Sequence, residues 1–166
     1  RSRRKDGPFV KVNCAAIAEN LVEAELFGYE KGAFTGANAA KPGLIETASG
    51  GTLLLDEVAE LPAPAQAKLL RAVGNLEVLR IGSVKARPID VRFLAATHQP
   101  LEQLTGDGRF RSDLYFRLNG VTLSIPPLRE RLDEVGGLAR GFAREWARKH
   151  ERPAPTIDDD AVAWLC

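Results

Sequence analysis

An α/β fold built on a mainly parallel sheet is what this 166-residue sequence predicts, and three observations carry the prediction. Apolar patterning switches back and forth between the strand period and the helix period along the chain. The run Thr52-Leu53-Leu54-Leu55 is continuously apolar from Leu53 on, which suits a strand covered on both faces, as in a parallel sheet. The apolar strands also stop abruptly at polar residues: Asn13, then Asp56-Glu57, then Thr97-His98. In open parallel sheets ligands bind outside the carboxyl ends of the strands, so these five residues are where chemistry is expected.

Element by element, Phe9-Val10-Lys11-Val12-Asn13 reads as a short strand beginning after Gly7-Pro8. Glu19 to Phe27 carries Val22 and Leu26 four residues apart, a helical spacing. After the Thr52–Leu55 strand, Pro64 to Asn75 reads as a helix, with Pro64 near the first turn, where its missing N–H is harmless. Val78 to Phe93 predicts an interrupted hairpin turning at Gly82-Ser83, with Pro88 confined to an edge. Val91 to Thr97 is a second buried strand, Phe110 to Leu118 a helix, and Val121 to Ile125 a strand closed by Pro126-Pro127. Arg131 to His150 reads as a long helix carrying several glycines, and Asp158 to Asp160 opens a last one.

Composition bounds the function. The 23 basic and 22 acidic residues leave a formal charge of +1, so bulk electrostatics nominates neither nucleic acid nor membrane. No apolar run approaches the roughly 18 residues that span a bilayer, and no secretory signal is visible. Cys14 and Cys166 fit neither a disulfide framework nor a zinc spacing, and both read as reduced thiols of a cytoplasmic protein. The chain opens at Arg1, has no methionine, and stops at Cys166 inside an apparently unfinished amphipathic helix, so a piece of a longer protein is expected. Arg1-Ser2-Arg3-Arg4-Lys5 admits a nucleic-acid arm or, as the blander alternative, a solvated connector.

Two segments carry chemical promise. An aspartate at the end of a buried strand, as at Asp56, is placed to hold magnesium beside nucleotide phosphates, and Glu57 next to it to polarise a water. The alternative is an Asp-Glu pair that merely opens a loop. Gly32-Ala33-Phe34-Thr35-Gly36-Ala37 can form neither a stable strand nor a stable helix by propensity. Its Phe34 either folds back onto the core or forms the apolar tip of a partner-binding finger.

Glu25-Leu26-Phe27-Gly28-Tyr29-Glu30-Lys31 followed by Gly32–Ala37 resembles the signature of sigma-54 activators, a branch of the AAA+ ATPases. Further blocks resemble the family in the same order. They are Phe9–Cys14, the Walker B strand Gly50–Glu57, the sensor I segment Ala95–His98, Phe110–Leu118 and Pro126–Arg131. The resemblance covers residues 8 to 135 and, more loosely, the rest. It implies a P-loop-type αβα sandwich, with residues 1–135 as a partial α/β core and 136–166 as the start of a helical lid. No G-x-x-x-x-G-K-[ST] occurs in the 166 residues; the family places that phosphate loop and its strand upstream, and its sensor II arginine downstream.

Site roles follow from the resemblance one residue at a time. Asp56 would coordinate magnesium and Glu57 would activate the attacking water, with Thr97 also at the nucleotide. Asn13 matches the residue that holds the glutamate away from water until the partner engages. Arg111 and Arg117 match arginines that reach a neighbouring subunit's site, unless they are simply a basic helix face. His98 stands where many relatives place asparagine as the sensor. Gly32, Ala33, Phe34, Thr35, Gly36 and Ala37 would touch sigma-54, supported by a second loop around Leu79 to Arg87. The implied cofactors are ATP and Mg²⁺. The implied partners are sigma-54 RNA polymerase, copies of the chain in a ring, hexameric by resemblance, and DNA through a domain not in these residues. The competing expectation is a catalytically degenerate relative that binds sigma-54 or regulates; an unrelated AAA+ remodeller is set apart by the Gly32–Ala37 loop.

Overall fold

The computed structural model describes residues 2–165; Arg1 and Cys166, including the thiol expected at Cys166, lie outside them. The chain forms two compact units, Arg1–Val121 and Thr122–Cys166. In the first, the elements run β1 (Phe9–Asn13), α1 (Glu19–Phe27), β2 (Gly28–Tyr29), β3 (Lys41–Pro42), α2 (Leu44–Thr47), β4 (Thr52–Asp56), α3 (Ala63–Asn75), β5 (Glu77–Val78), β6 (Arg87–Pro88), β7 (Arg92–Ala96), α4 (Leu101–Gly106) and α5 (Ser112–Leu118).

β4 lies between β1 and β7 in a three-stranded parallel sheet. The register pairs Asn13 with Asp56 and Asp56 with Ala96, so the three strands end level and the polar residues that follow share one rim. Leu53 and Leu55 of β4 are fully buried, in one core with Val22, Leu26 and Phe27 of α1, Leu69 of α3 and Leu114 of α5. Each such side chain contributes about 1.5–3 kcal/mol of burial, and this layer supports the rim. α3 buries Ala65, Leu69 and Ala72 at helical spacing, and Pro64 sits in its first turn. The opposite sheet face is more open: Leu54 is half-buried and Phe9 exposed.

Several expectations need correction. β7 is not a buried strand; Leu94 and Arg92 are exposed, because among the described residues no strand pairs with its outer side. Val121–Ile125 forms no strand, and Val121, Leu123 and Ile125 are 86, 85 and 76% exposed. Apolar alternation is present there, but a strand needs a partner ladder for its N–H and C=O groups. α5 starts at Ser112, later than expected, since Phe110 is drawn into the core. α4, at six residues too short to show a clear period, was not foreseen.

Two hairpins leave this unit. β2 and β3 pair at the base of the segment carrying Gly32–Ala37. β5 and β6 pair through only two residues each, Glu77 with Pro88 and Val78 with Arg87, with Gly82 at φ +79° between them. The hairpins are joined: Ile81 N donates to Gly28 O at 2.9 Å, and Glu30 N donates to Ile81 O at 3.0 Å.

The second unit contains α6 (Val135–Lys149) and α7 (Asp159–Leu165), preceded by short 3-10 turns at Leu128–Glu130 and Leu132–Glu134. Those turns displace the start of the long helix from Arg131 to Val135. Gly136 lets the helices approach, since a Cβ there would lie 3.1 Å from Val162 Cγ1. Arg140 donates to Asp159 Oδ1 at 2.6 Å. Among the described residues, no helix is long and apolar enough to cross a membrane.

Candidate functional site

The sheet rim gathers Asn13, Asp56, Glu57, Thr97 and His98, as level strand ends require. Asp56 Oδ2 lies 3.2 Å from Lys11 Nζ, on the neighbouring strand. Glu57 is held differently. Its backbone takes φ 53°, ψ 49°, a left-handed conformation that a residue other than glycine adopts at a cost. Its carboxylate accepts from His98 Nδ1, at 3.0 Å to Oε1 and 2.9 Å to Oε2, and from Thr97 Oγ1 at 3.5 Å. Asn13 does not make that contact: its Oδ1 accepts from Ala15 N at 2.9 Å and so caps the turn after β1. The expected Asn13–Glu57 pairing is therefore replaced here by His98 and Thr97. Cys14 is buried below this rim, and burial, with the charges of Asp56 and Glu57, pushes its thiol up to about 11.

The rim offers hard carboxylate oxygens at the carboxyl end of the central strand, a donor set suited to magnesium carried by nucleotide phosphates. Among the described residues no group of three or more His, Cys, Asp or Glu side chains forms a self-sufficient metal cage. One or two carboxylates completed by phosphate oxygens is the usual arrangement for magnesium, so the residues present fit that ion.

The Gly32–Ala37 segment is a compact turn, with Gly32 N donating to Ala37 O at 2.9 Å and Ala37 N to Phe34 O at 3.0 Å. Ala37 is buried, Thr35 and Gly36 are exposed, and Phe34 is 46% exposed. Phe34 packs edge-on against Tyr29 with ring centroids 5.0 Å apart, so it neither enters the core nor stands free. In the second hairpin Arg80, whose partners are too remote in sequence to be read locally, donates to both oxygens of Glu46 on α2 at 2.7 and 2.8 Å. Arg87 donates to Glu30 Oε1 at 2.8 Å. The first pair ties the second hairpin to α2 and the other ties it to Glu30 at the base of the first hairpin.

Arg111 and Arg117 do not converge. Arg111 precedes α5, and its guanidinium pairs with both oxygens of Asp113, at 3.0 and 2.6 Å, holding that carboxyl below its ordinary value. Arg117, in the last turn of α5, lies across α3 where Gly74 lacks a side chain. Both arginines are exposed, and neither makes a hydrogen bond to Asp56 or Glu57 of its own chain among the described residues. Arg4 of the basic N-terminal run is bound to Asp90 and donates to the Asp90 carbonyl at 2.9 Å, so that run is partly a structural anchor.

Comparison with known proteins agrees with this architecture. The family model described as the sigma-54 interaction domain matches residues 1–124. The chain is 58% identical over 146 residues to the sigma54-dependent transcriptional activator SfnR of Pseudomonas putida, covering 88% of this chain and 40% of that protein. It is 51% identical over 164 residues to the Nif-specific regulatory protein of Azospirillum brasilense, covering 99% of this chain and 26% of that one. The crystal structure of NtrX from Brucella abortus in complex with ATP superposes with a TM-score of 0.86 at 37% identity, over 98% of this chain and 35% of that chain. This chain thus spans about a quarter to two fifths of the length of these relatives. The matched residues 1–124 contain the parallel sheet, its rim and both hairpins, and the chain belongs to the sigma-54 interaction domain family.

Proposed function

We propose that this chain is the ATP-hydrolysing module of a sigma-54-dependent activator, which contacts sigma-54 RNA polymerase and remodels the closed promoter complex so that transcription can start. The carrying observation is the Asp56-Glu57 pair on the sheet rim with Thr97 and His98 around the glutamate, in a chain that also presents the Gly32–Ala37 turn. The similarity to NtrX, a protein whose structure is known with ATP, supports nucleotide as the ligand.

ATP with Mg²⁺ supplies the phosphoryl group and neutralises its charge. Asp56, which here pairs with Lys11, would hold the Mg²⁺. Glu57 orients a water and accepts its proton, which requires the carboxylate to leave His98 and Thr97. Arg111 and Arg117, exposed and without a hydrogen bond to their own rim among the described residues, serve the site of a neighbouring copy in a ring, hexameric by family resemblance; trans arginines of this kind give roughly 10³–10⁵ in rate. The half-exposed Phe34 and exposed Thr35 present the surface for sigma-54, and the Arg87–Glu30 pair and the backbone bonds of Ile81 carry motion between the hairpins.

The test is ATP turnover by the chain within its native flanking sequence, beside a Glu57→Gln version. Turnover should fall by at least roughly 10²-fold in the variant. Equal turnover in both would remove Glu57 from the chemistry, and no turnover from the folded wild type would favour a catalytically degenerate, sigma-54-binding module.

A further inference from the structure

Gln66 is a buried polar residue that the rim and the hairpins leave without a role. It lies in the first turns of α3, 1% exposed, and three hydrogen bonds leave its amide. Nε2 donates to Leu61 O at 2.8 Å and to Arg109 O at 3.1 Å, and Oε1 accepts from Arg111 N at 2.8 Å. Two carbonyls and one N–H around the amide admit only this orientation of its oxygen and nitrogen. The two ends of the tie are telling. Leu61 closes the short turn that begins at Glu57. Arg109 and Arg111 belong to the stretch that delivers the exposed arginine.

An amide is planar, and three bonds made from one buried plane fix the spacing of the segments they join. The Arg111 backbone is thereby fixed from inside, whereas its side chain is 46% exposed and, among the described residues, held by Asp113. The side chain is free to exchange Asp113 for another anion without moving its anchor. An apolar side chain of similar size at position 66 would fill the space but leave an N–H and two carbonyls unpaired in the interior.

We propose that Gln66 is a positioning residue for Arg111: it sets the arginine that one subunit lends to its neighbour against the turn that carries the subunit's own Glu57. This rests on the ring-ATPase function proposed above, and mixed rings test the two separately. In the protein carrying this chain with its native flanks, Gln66→Met should lower kcat roughly 10²-fold, the scale of about 1 Å of misplacement, with little change in KM for ATP. Mixed with Glu57→Gln subunits, which supply a sound Arg111 but no chemistry, Gln66→Met subunits should regain turnover. Mixed with Arg111→Ala subunits, they should not.

The reverse pattern, rescue by Arg111→Ala and none by Glu57→Gln, would show that Gln66 serves its own subunit's site and overturn the proposal. Rescue by neither partner, with circular dichroism showing a folded variant, would overturn it as well. Gln66→Glu retains an acceptor for Arg111 N and is the second variant should the first not fold; if neither folds, Gln66 is a structural residue and the proposal is lost. A wild type without turnover, or a Glu57→Gln protein as active as wild type, would instead sink the ATPase function itself, and it is read in the unmixed controls.

Discussion

Glu57 pays for its place on the rim with a left-handed backbone, a cost of order 1–3 kcal/mol for a residue with a side chain. What offsets the strain is visible around it: the carboxylate is engaged by His98 and Thr97, and Glu60 N donates to its carbonyl at 3.0 Å. Directly below, Cys14 reports the same field. Its thiol is raised from an ordinary 9.0 to about 11 by burial first and by Asp56 and Glu57 next. A raised folded-state value means that the native protein binds this proton more tightly than the unfolded chain does. The stabilisation is complete below about pH 9 and is lost as pH rises from there through about 11. In a Cys166→Ser background, a disulfide reagent at pH 8 should label Cys14 at least roughly 10²-fold more slowly in the native protein than in denaturant, because the thiolate is the nucleophile. Equal labelling rates would contradict the burial and the field together.

At the scale of elements, the joined hairpins depend on a few places where backbones nearly touch. Gly28 links α1 to β2 at φ +74°, and a Cβ there would lie 2.5 Å from both Gly43 N and Lys41 O. Neither neighbour is a side chain that can turn aside, so Gly28→Ala must part β2 from β3. Gly32, at φ +81°, has open space around it. Both glycines have positive φ, and they differ in crowding. Gly28→Ala should therefore cost at least about 2 kcal/mol more than Gly32→Ala, which bears only the left-handed penalty of about 1–2 kcal/mol. Urea denaturation of the two variants side by side measures the difference, and equal midpoints would mean that the close approach is not limiting.

On the scale of the whole molecule, the exposed arginines and the rim point to work shared between copies. Arg111 pairs with Asp113 and Arg117 of α5 packs against Gly74 of α3, both without a hydrogen bond to the rim of their own chain among the described residues. On the proposed function, the arginine that stabilises charge on the transferred phosphoryl group comes from a neighbouring copy. Turnover per mole of the protein with its native flanks should accordingly rise with protein concentration and level off once rings are complete, as sedimentation velocity on the same samples can follow. Specific activity independent of concentration, in a sample that sediments as monomer, would count against the trans arginines.

The sequence by itself determined the parallel α/β class, the spans of β1, α1, β4 and α3, and which polar residues close the strands. Apolar periodicity, proline placement and the break from Leu55 to Asp56 are local properties, fully present in the order of residues. The Gly32–Ala37 segment was equally legible, since its composition forbids regular structure. Tertiary structure alone decided the rest. Val121–Ile125 has a strand's pattern and is not one, and β7 is an edge rather than a buried strand, because a strand exists through the ladder of its partner. Glu57 found His98, 41 residues away, in place of Asn13, and Gln66 found Arg109 and Arg111, 43 and 45 residues away. Hydrogen bonds of that reach are set by how the layers stack, and no local pattern in the sequence encodes them.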